Sequence, residues 1–230
     1  GITLITDKNN SNEIVSLSIF VKGGKLSEPI PGITELIAYT LTKGTTTKSA
    51  LEIGQELENL GIIIVPSAED DFFEIQLKTT TADFDKAFDI LMDIIKNPAF
   101  KEEYIRKAQN DIIQDIQESR DTPFSLAVEK FSRALYLNHP YGNEGEVLEK
   151  NIPLISRENI LDFYKNTFIP QNMVVSVSGN VDTSDLAQKF SAALAKTHGE
   201  ELDFNKLIKK YTSLEKNKFV NVKKDLKAGW

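Results

Sequence analysis

The chain has 230 residues, 40% hydrophobic and 27% charged, an ordinary globular composition with enough apolar residues for a substantial core. A net charge of −7 and a pI near 5.0 argue against nucleic-acid binding, and no apolar run approaches the roughly 20 residues of a membrane helix. There is no cysteine, so disulfides, thiolate metal sites and cysteine nucleophiles are excluded, and His139 and His198 are the only histidines.

Residues 2–6 form a short apolar run ended by the turn cluster Asp7-Lys8-Asn9-Asn10-Ser11-Asn12. Residues 14–21 alternate Val15, Leu17, Ile19 and Val21 with Ser16, Ser18 and Phe20, the period of a strand with one wet face. The two runs are expected to pair as a hairpin or as neighbours. Residues 31–45, PGITELIAYTLTKGT, read as a buried amphipathic helix, because Ile33, Leu36, Ile37 and Leu41 recur at helical spacing. Pro31 fits ahead of its first turn, and Lys43-Gly44-Thr45 closes it. Ser49 and Glu52 form a capping-box pattern for a helix over 50–60, with Gly61 as its left-handed cap. Residues 62–65 read as a buried strand and 72–80 as a second strand with one wet face, joined by a turn over 66–71 as an antiparallel hairpin.

Asp83 opens a helix to about Lys96, with Phe84, Ala87, Phe88, Leu91, Ile94 and Ile95 on one stripe and Asn97-Pro98 as its stop. A longer helix is expected over 101–119, with Tyr104, Ile105, Ala108, Ile112 and Ile116 inward. Residues 124–137 read as helical with Ala127, Phe131, Ala134 and Leu135 on the packing face. Ser156 caps a helix over 158–167, a buried strand follows over 173–177, and 183–195 is amphipathic. Residues 196–218 turn charged and lose periodicity, which fits a linker, and 219–222 look like a fresh strand. Residues 223–230 carry no assignable pattern. Hairpins and helix runs are segregated along the chain, which indicates an α+β fold with helices packed on one face of a mostly antiparallel sheet.

The stretch around residues 31–45 resembles the zinc-ligand helix of the pitrilysin/insulinase-like metallopeptidases, whose inverted motif is His-x-x-Glu-His. Gly32, Leu41, Lys43, Gly44 and Thr45 fall in register with it. Further landmarks follow in the family's order over about residues 1–195. They are Leu57-Glu58-Asn59-Leu60-Gly61 before the hairpin, Asn97-Pro98-Ala99-Phe100, His139-Pro140-Tyr141-Gly142, Phe163-Tyr164, Pro170-x-Asn172-Met173 and Gly179-Asn180-Val181.

Against that frame the catalytic positions differ. Glu35 stands where the first His belongs, Ala38 where the Glu base belongs and Tyr39 where the second His belongs. The family's third ligand is a Glu on the long helix, roughly 76 residues after the second His. Counted from Tyr39, that position is Asp115. A phenol is a poor metal ligand at neutral pH, and alanine cannot deprotonate a metal-bound water. The resemblance therefore implies an insulinase-like fold without a catalytic site of its own. It implies a subunit or domain that scaffolds an active zinc-peptidase partner, as in the family's heterodimers, and helps form the peptide-binding chamber. Zinc is expected only in that partner. Residues 1–195 correspond to one inactive peptidase domain, and 196–230 to a linker and the first strand of a following homologous half. The Arg/Tyr substrate pair that such subunits carry in that half has no position here.

Two other readings compete: an atypical metal-dependent hydrolase using Glu35 and Asp115, and a purely structural core-type assembly subunit. The histidine count argues against the first. Blander roles are expected for most of the candidate residues. Glu35 and Asp115 are expected to be solvated or ion-paired, and the Tyr39 ring to fill the volume of a lost metal site. His139 is expected to be a turn element, His198 to be solvated, and Glu69-Asp70-Asp71 to be a hairpin tip rather than a calcium loop. The strand over 72–80 is a candidate for edge addition of a peptide. No signal-peptide pattern is visible in a chain that starts at Gly1, and location is open, with export to the bacterial periplasm the leading expectation.

Overall fold

In the computed structural model, which describes residues 1–209 and 219–221, five strands build one sheet. They are β1 (Thr3–Lys8), β2 (Ile14–Lys22), β3 (Ile63–Ala68), β4 (Phe72–Thr80) and β5 (Met173–Gly179), in the order β1-β5-β2-β4-β3. Only the β1–β5 pair is parallel, so the sheet is mostly antiparallel as expected. One face is dry. Val15, Leu17, Ile19 and Val21 of β2 are fully buried, beside Phe73, Ile75 and Leu77 of β4 and Met173, Val175 and Val177 of β5. Each such side chain contributes about 1.5–3 kcal/mol by leaving water. The other face carries Ser16, Glu74, Gln76 and Lys78 and stays wet or half-buried.

Two strand expectations are corrected. β1 and β2 are neither a hairpin nor neighbours, because β5 lies between them, with Ile5 opposite Ser176 on one side and Ile19 opposite Val175 on the other. The loop after β1 steps across the end of β5, where the Asn9 N–H donates to the Gly179 carbonyl at 3.1 Å. The alternation in each run fixes which face is dry, but not which strand fills the gap between them. The segment 62–65 is not wholly buried: Ile62 and Ile64 point inward, whereas Ile63 and Val65 are 54% and 46% exposed. β3 is an edge strand, covered on one face only. β4 is paired on both sides, so the edge open to strand addition beside it is β3.

The helices lie on the dry face. They are α1 (Ile33–Thr40), α2 (Ala50–Asn59), α3 (Phe84–Lys96), α4 (Glu102–Ser119), α5 (Pro123–Tyr136), α6 (Glu146–Asn151), α7 (Arg157–Thr167), α8 (Thr183–Leu194) and α9 (Phe204–Lys209). The capping box at Ser49 and Glu52 is present, and Gly61 is left-handed at φ +61°. The stripe foreseen on α3 is buried throughout. α1 is shorter than its sequence pattern, because Lys43-Gly44-Thr45 leaves the helix to bridge elsewhere. Gly44 pairs with Ser49 and Thr45 with Pro98, and Thr45 and Thr47 both donate to the Asp93 carboxylate of α3 at 2.8 and 2.9 Å. This anchor fixes the C-terminal end of α1 on α3.

α5 departs most from expectation. Phe131 and Leu135 are 64% and 41% exposed, and the buried residue of the helix is Glu129. An ionic network, not an apolar face, holds it to its neighbours. Within the expected linker, α9 forms and Leu202 N–H donates to Asn172 at 2.8 Å. Phe219, Val220 and Asn221 form no regular element. The expected remainder of the linker at 210–218, the end of the fresh strand at 222 and the stretch 223–230 lie outside the described residues.

Candidate functional site

α1 is positioned from both ends. At its start Gly32 has φ +97°, and an added Cβ would lie 2.7 Å from Ile152. From upstream, the Glu28 carboxylate caps the helix. It accepts from the N–H groups of Gly32 and Thr34, each at 2.9 Å, and from the Thr34 hydroxyl. Burial pushes the Glu28 carboxyl up to about 7, against the downward pull of these donors.

A pH dependence follows. The ordinary value is 4.5 and the folded value about 7, so the folded chain holds a proton that the unfolded chain has lost across that window. Stability is greatest below the lower value and falls as pH rises through the upper one, by up to about 3 kcal/mol. Glu28→Gln keeps an acceptor oxygen and is expected to flatten this slope. Urea midpoints of both proteins at the two ends of the window check it.

Glu35 and Tyr39 stand one turn apart on the same side of α1. The Tyr39 hydroxyl donates to Asp115 Oδ2 on α4 at 2.9 Å, across 76 residues of sequence. Desolvation, then the hydrogen bond and charge of Asp115, push the phenol up to about 12. Both side chains are exposed, so the Tyr39 ring does not fill a buried volume as expected. Ala38 is half-buried and packs against the core.

Glu35 faces a different set of groups. Its Oε2 is buried and finds no hydrogen-bond partner among the described residues. Burial raises its carboxyl, and the nearby Lys25 charge pulls it back. Lys25 sits on the turn Gly24–Ser27, which docks on the tip between β3 and β4. Lys25 N–H donates to the Glu69 carbonyl and Leu26 N–H to the Asp70 carbonyl, each at 3.0 Å. The Lys25 ammonium lies 3.4 Å from Asp70. Burial alone would lower Lys25, but Glu35 and Asp70 outweigh it and hold the ammonium above its ordinary value. Glu69-Asp70-Asp71 is thus a hairpin tip, as expected, and the charges of Asp70 and Glu69 add to the upward push on the Glu35 carboxyl.

The structure joins Tyr39 to Asp115 and sets Glu35 with Lys25 and Asp70. Sequence reasoning had not singled out Lys25 or Glu28. The one usable signal for Glu28 was an acid just upstream of a glycine-opened helix. His139 caps the turn Pro140–Gly142, its Nδ1 accepting from the Tyr141 N–H at 3.3 Å, and His198 is exposed. The donor set around α1 and α4 does not fit a catalytic zinc. It offers two carboxylates and a phenol whose proton is held against Asp115, with no imidazole and with alanine in the base position. Among the described residues, no three His, Cys, Asp or Glu side chains are grouped to hold a metal ion.

Known proteins place this architecture. The family description "Insulinase (Peptidase family M16)" matches residues 3–146, and "Peptidase M16 inactive domain" matches residues 154–228. An uncharacterized zinc protease of Rickettsia felis is 30% identical over 98% of this chain and 54% of its own length. A probable mitochondrial-processing peptidase subunit beta of Arabidopsis thaliana is 19% identical over 90% of this chain and 40% of its own length. The chain spans about half the length of the curated relatives it matches. Among solved structures, a peptidase M16 inactive domain from Pseudomonas fluorescens superposes with a TM-score of 0.81 at 20% identity, covering 87% of this chain and 50% of that one. A protease from Helicobacter pylori gives 0.76 at 18% identity, covering 87% and 49%. On these grounds the chain belongs to the insulinase family of peptidases, family M16.

Proposed function

We propose that this chain is a non-catalytic insulinase-family subunit or domain. It scaffolds a zinc-bearing partner of the same family and lines part of a shared peptide chamber. Residues 1–195 form the inactive domain, and the rest leads towards a following half. The observation that carries the reading is the Tyr39–Asp115 hydrogen bond, at 2.9 Å between the two helices that hold the degenerate ligand positions. A protonated phenol bound to a carboxylate takes the place of a ligand pair, and Ala38 offers no base. Any zinc belongs to the partner. The Arabidopsis relative is named as a subunit, which supports membership of an assembly. Peptide contact is supported by the β3 edge, which runs beside α1 and exposes Ile63 and Val65.

Reconstitution tests this reading. The chain with added zinc is expected to leave unstructured peptides intact. Mixed with a family member that carries an intact His-x-x-Glu-His, it is expected to co-purify and raise that member's peptidase rate at least about tenfold. Chelator-sensitive hydrolysis by the chain alone would overturn the reading.

A further inference from the structure

Asn172, in the landmark Pro170-x-Asn172-Met173, is 1% exposed, and its side chain joins two segments. Its amide donates to the Thr167 carbonyl at 3.0 Å, and its Oδ1 accepts from the Leu202 N–H at 2.8 Å. The second bond ties down residues 197–203, which form neither helix nor strand. Three more contacts lie in that stretch. Glu201 pairs with Lys22 at the end of β2. The Leu202 side chain lies over Gly23, where an added Cβ would come 3.2 Å from its Cδ2. Gly199 runs flat against Ile169, where an added Cβ would lie 2.8 Å from Cδ1. Gly23 in turn leads into the turn Gly24–Ser27. Its N–H donates to the Asp71 carbonyl at 2.9 Å, and its carbonyl accepts from the Ser27 N–H at 3.1 Å. Two residues on, Lys25 carries its charge to Asp70 and Glu35.

We propose that residues 199–202 are a strap that docks and undocks as a unit, and that the docked strap positions the turn Gly24–Ser27, and with it Lys25, beside α1. The contacts argue for a unit that opens apart from the core. They fall within four consecutive residues, of which Leu202 is half-buried and the other three are exposed. A segment with so little buried apolar surface opens at a fraction of the global free energy. Its ion pair is exposed at the Glu201 end and adds little against opening. The strap is also the stretch through which the chain passes from α8 to α9. A partner or a pull on the residues beyond it favours one form over the other, and Lys25 registers the change beside Glu35. Leu202 is thus a positioning residue for Lys25. The coupling does not depend on whether the family's metal site is lost.

Amide hydrogen exchange of the 230-residue chain, read residue by residue and corrected for intrinsic rates, tests the proposal. The amide at position 202 reports the strap, those of Lys25 and Leu26 report the turn, and that of Leu91 in the middle of α3 reports the core. In the unaltered chain the Leu202 amide is expected to exchange at least about tenfold faster than that of Leu91. Leu202→Gly is expected to speed exchange at positions 202, 25 and 26 by at least about threefold and to leave Leu91 unchanged. Leu202→Met is expected to keep all of them at their original rates. Glu201→Lys, which repels Lys22, is expected to act like Leu202→Gly, and the Lys22→Glu/Glu201→Lys double variant to reverse it. Acceleration confined to position 202 overturns the coupling to Lys25. Acceleration that includes Leu91 overturns the separate unit, and unchanged rates throughout overturn the strap itself.

Discussion

Gly24→Ala is expected to destabilise the chain by about 4 kcal/mol, combining the left-handed backbone cost with overpacking. Gly24 has φ +46°, and an added Cβ would lie 2.3 Å from the Glu69 carbonyl oxygen, 2.6 Å from the Phe72 nitrogen and 2.7 Å from the Asp70 carbonyl oxygen. All three neighbours are backbone, so no side chain can rotate away. Relief requires the turn at Gly24–Ser27 to lift from the β3–β4 tip, breaking the bonds from Lys25 and Leu26 to Glu69 and Asp70. Lys25 then leaves Glu35, and the Glu35 carboxyl is expected to rise further. A urea titration reads the stability change. A loss under about 1 kcal/mol would mean that the two turns are not tightly docked.

Arg120→Ala is expected to cost about 3 kcal/mol, the scale of breaking one side of a buried ion pair. Glu129 is only 7% exposed, and Arg120 bridges it to Glu149. Burial alone would raise the Glu129 carboxyl; Arg120 and Lys130 outweigh it and hold it low. The sign with pH follows. A depressed carboxyl adds stability above its unfolded value and loses it as acid protonates the folded chain. The difference between wild type and variant is therefore expected to narrow in acid, and α5 to exchange its amide hydrogens faster at neutral pH. An unchanged melting temperature at neutral pH would show that Lys130 alone satisfies Glu129.

These two sites also mark where sequence pattern stops being informative. β2, β4 and α3 were legible because alternation and helical stripes state which side chains seek burial, and those faces are buried. The capping box at Ser49 was legible because its two hydrogen bonds are local. The neighbour of β1 was not, since pairing with β5 depends on a segment about 170 residues away, as Thr3 opposite Val174 shows. α5 misled because its apolar period is real but points outward. Its inward side is Glu129, whose burial is offset by charges on other elements.

At the candidate site, residue counting brought Tyr39 to Asp115, and the fold joins them by a hydrogen bond. Lys25 and Glu28 were invisible because their roles arise from docking: one turn on a hairpin tip, and one carboxylate on a helix start. The spacing of motif residues carries the frame of the site, whereas its electrostatics are set by contacts between elements that no local pattern records.

The central claim is that α1 and α4 keep the frame of a metal site without its donors. Elemental analysis of the purified chain, after equilibration with zinc and gel filtration, tests it most directly. The account predicts zinc below about a tenth of an equivalent, because no imidazole stands at the ligand positions and the Tyr39 hydroxyl is bound to Asp115. Zinc near one equivalent, lost in the Glu35→Ala/Asp115→Ala variant, would contradict it and make these carboxylates ligands of a working centre.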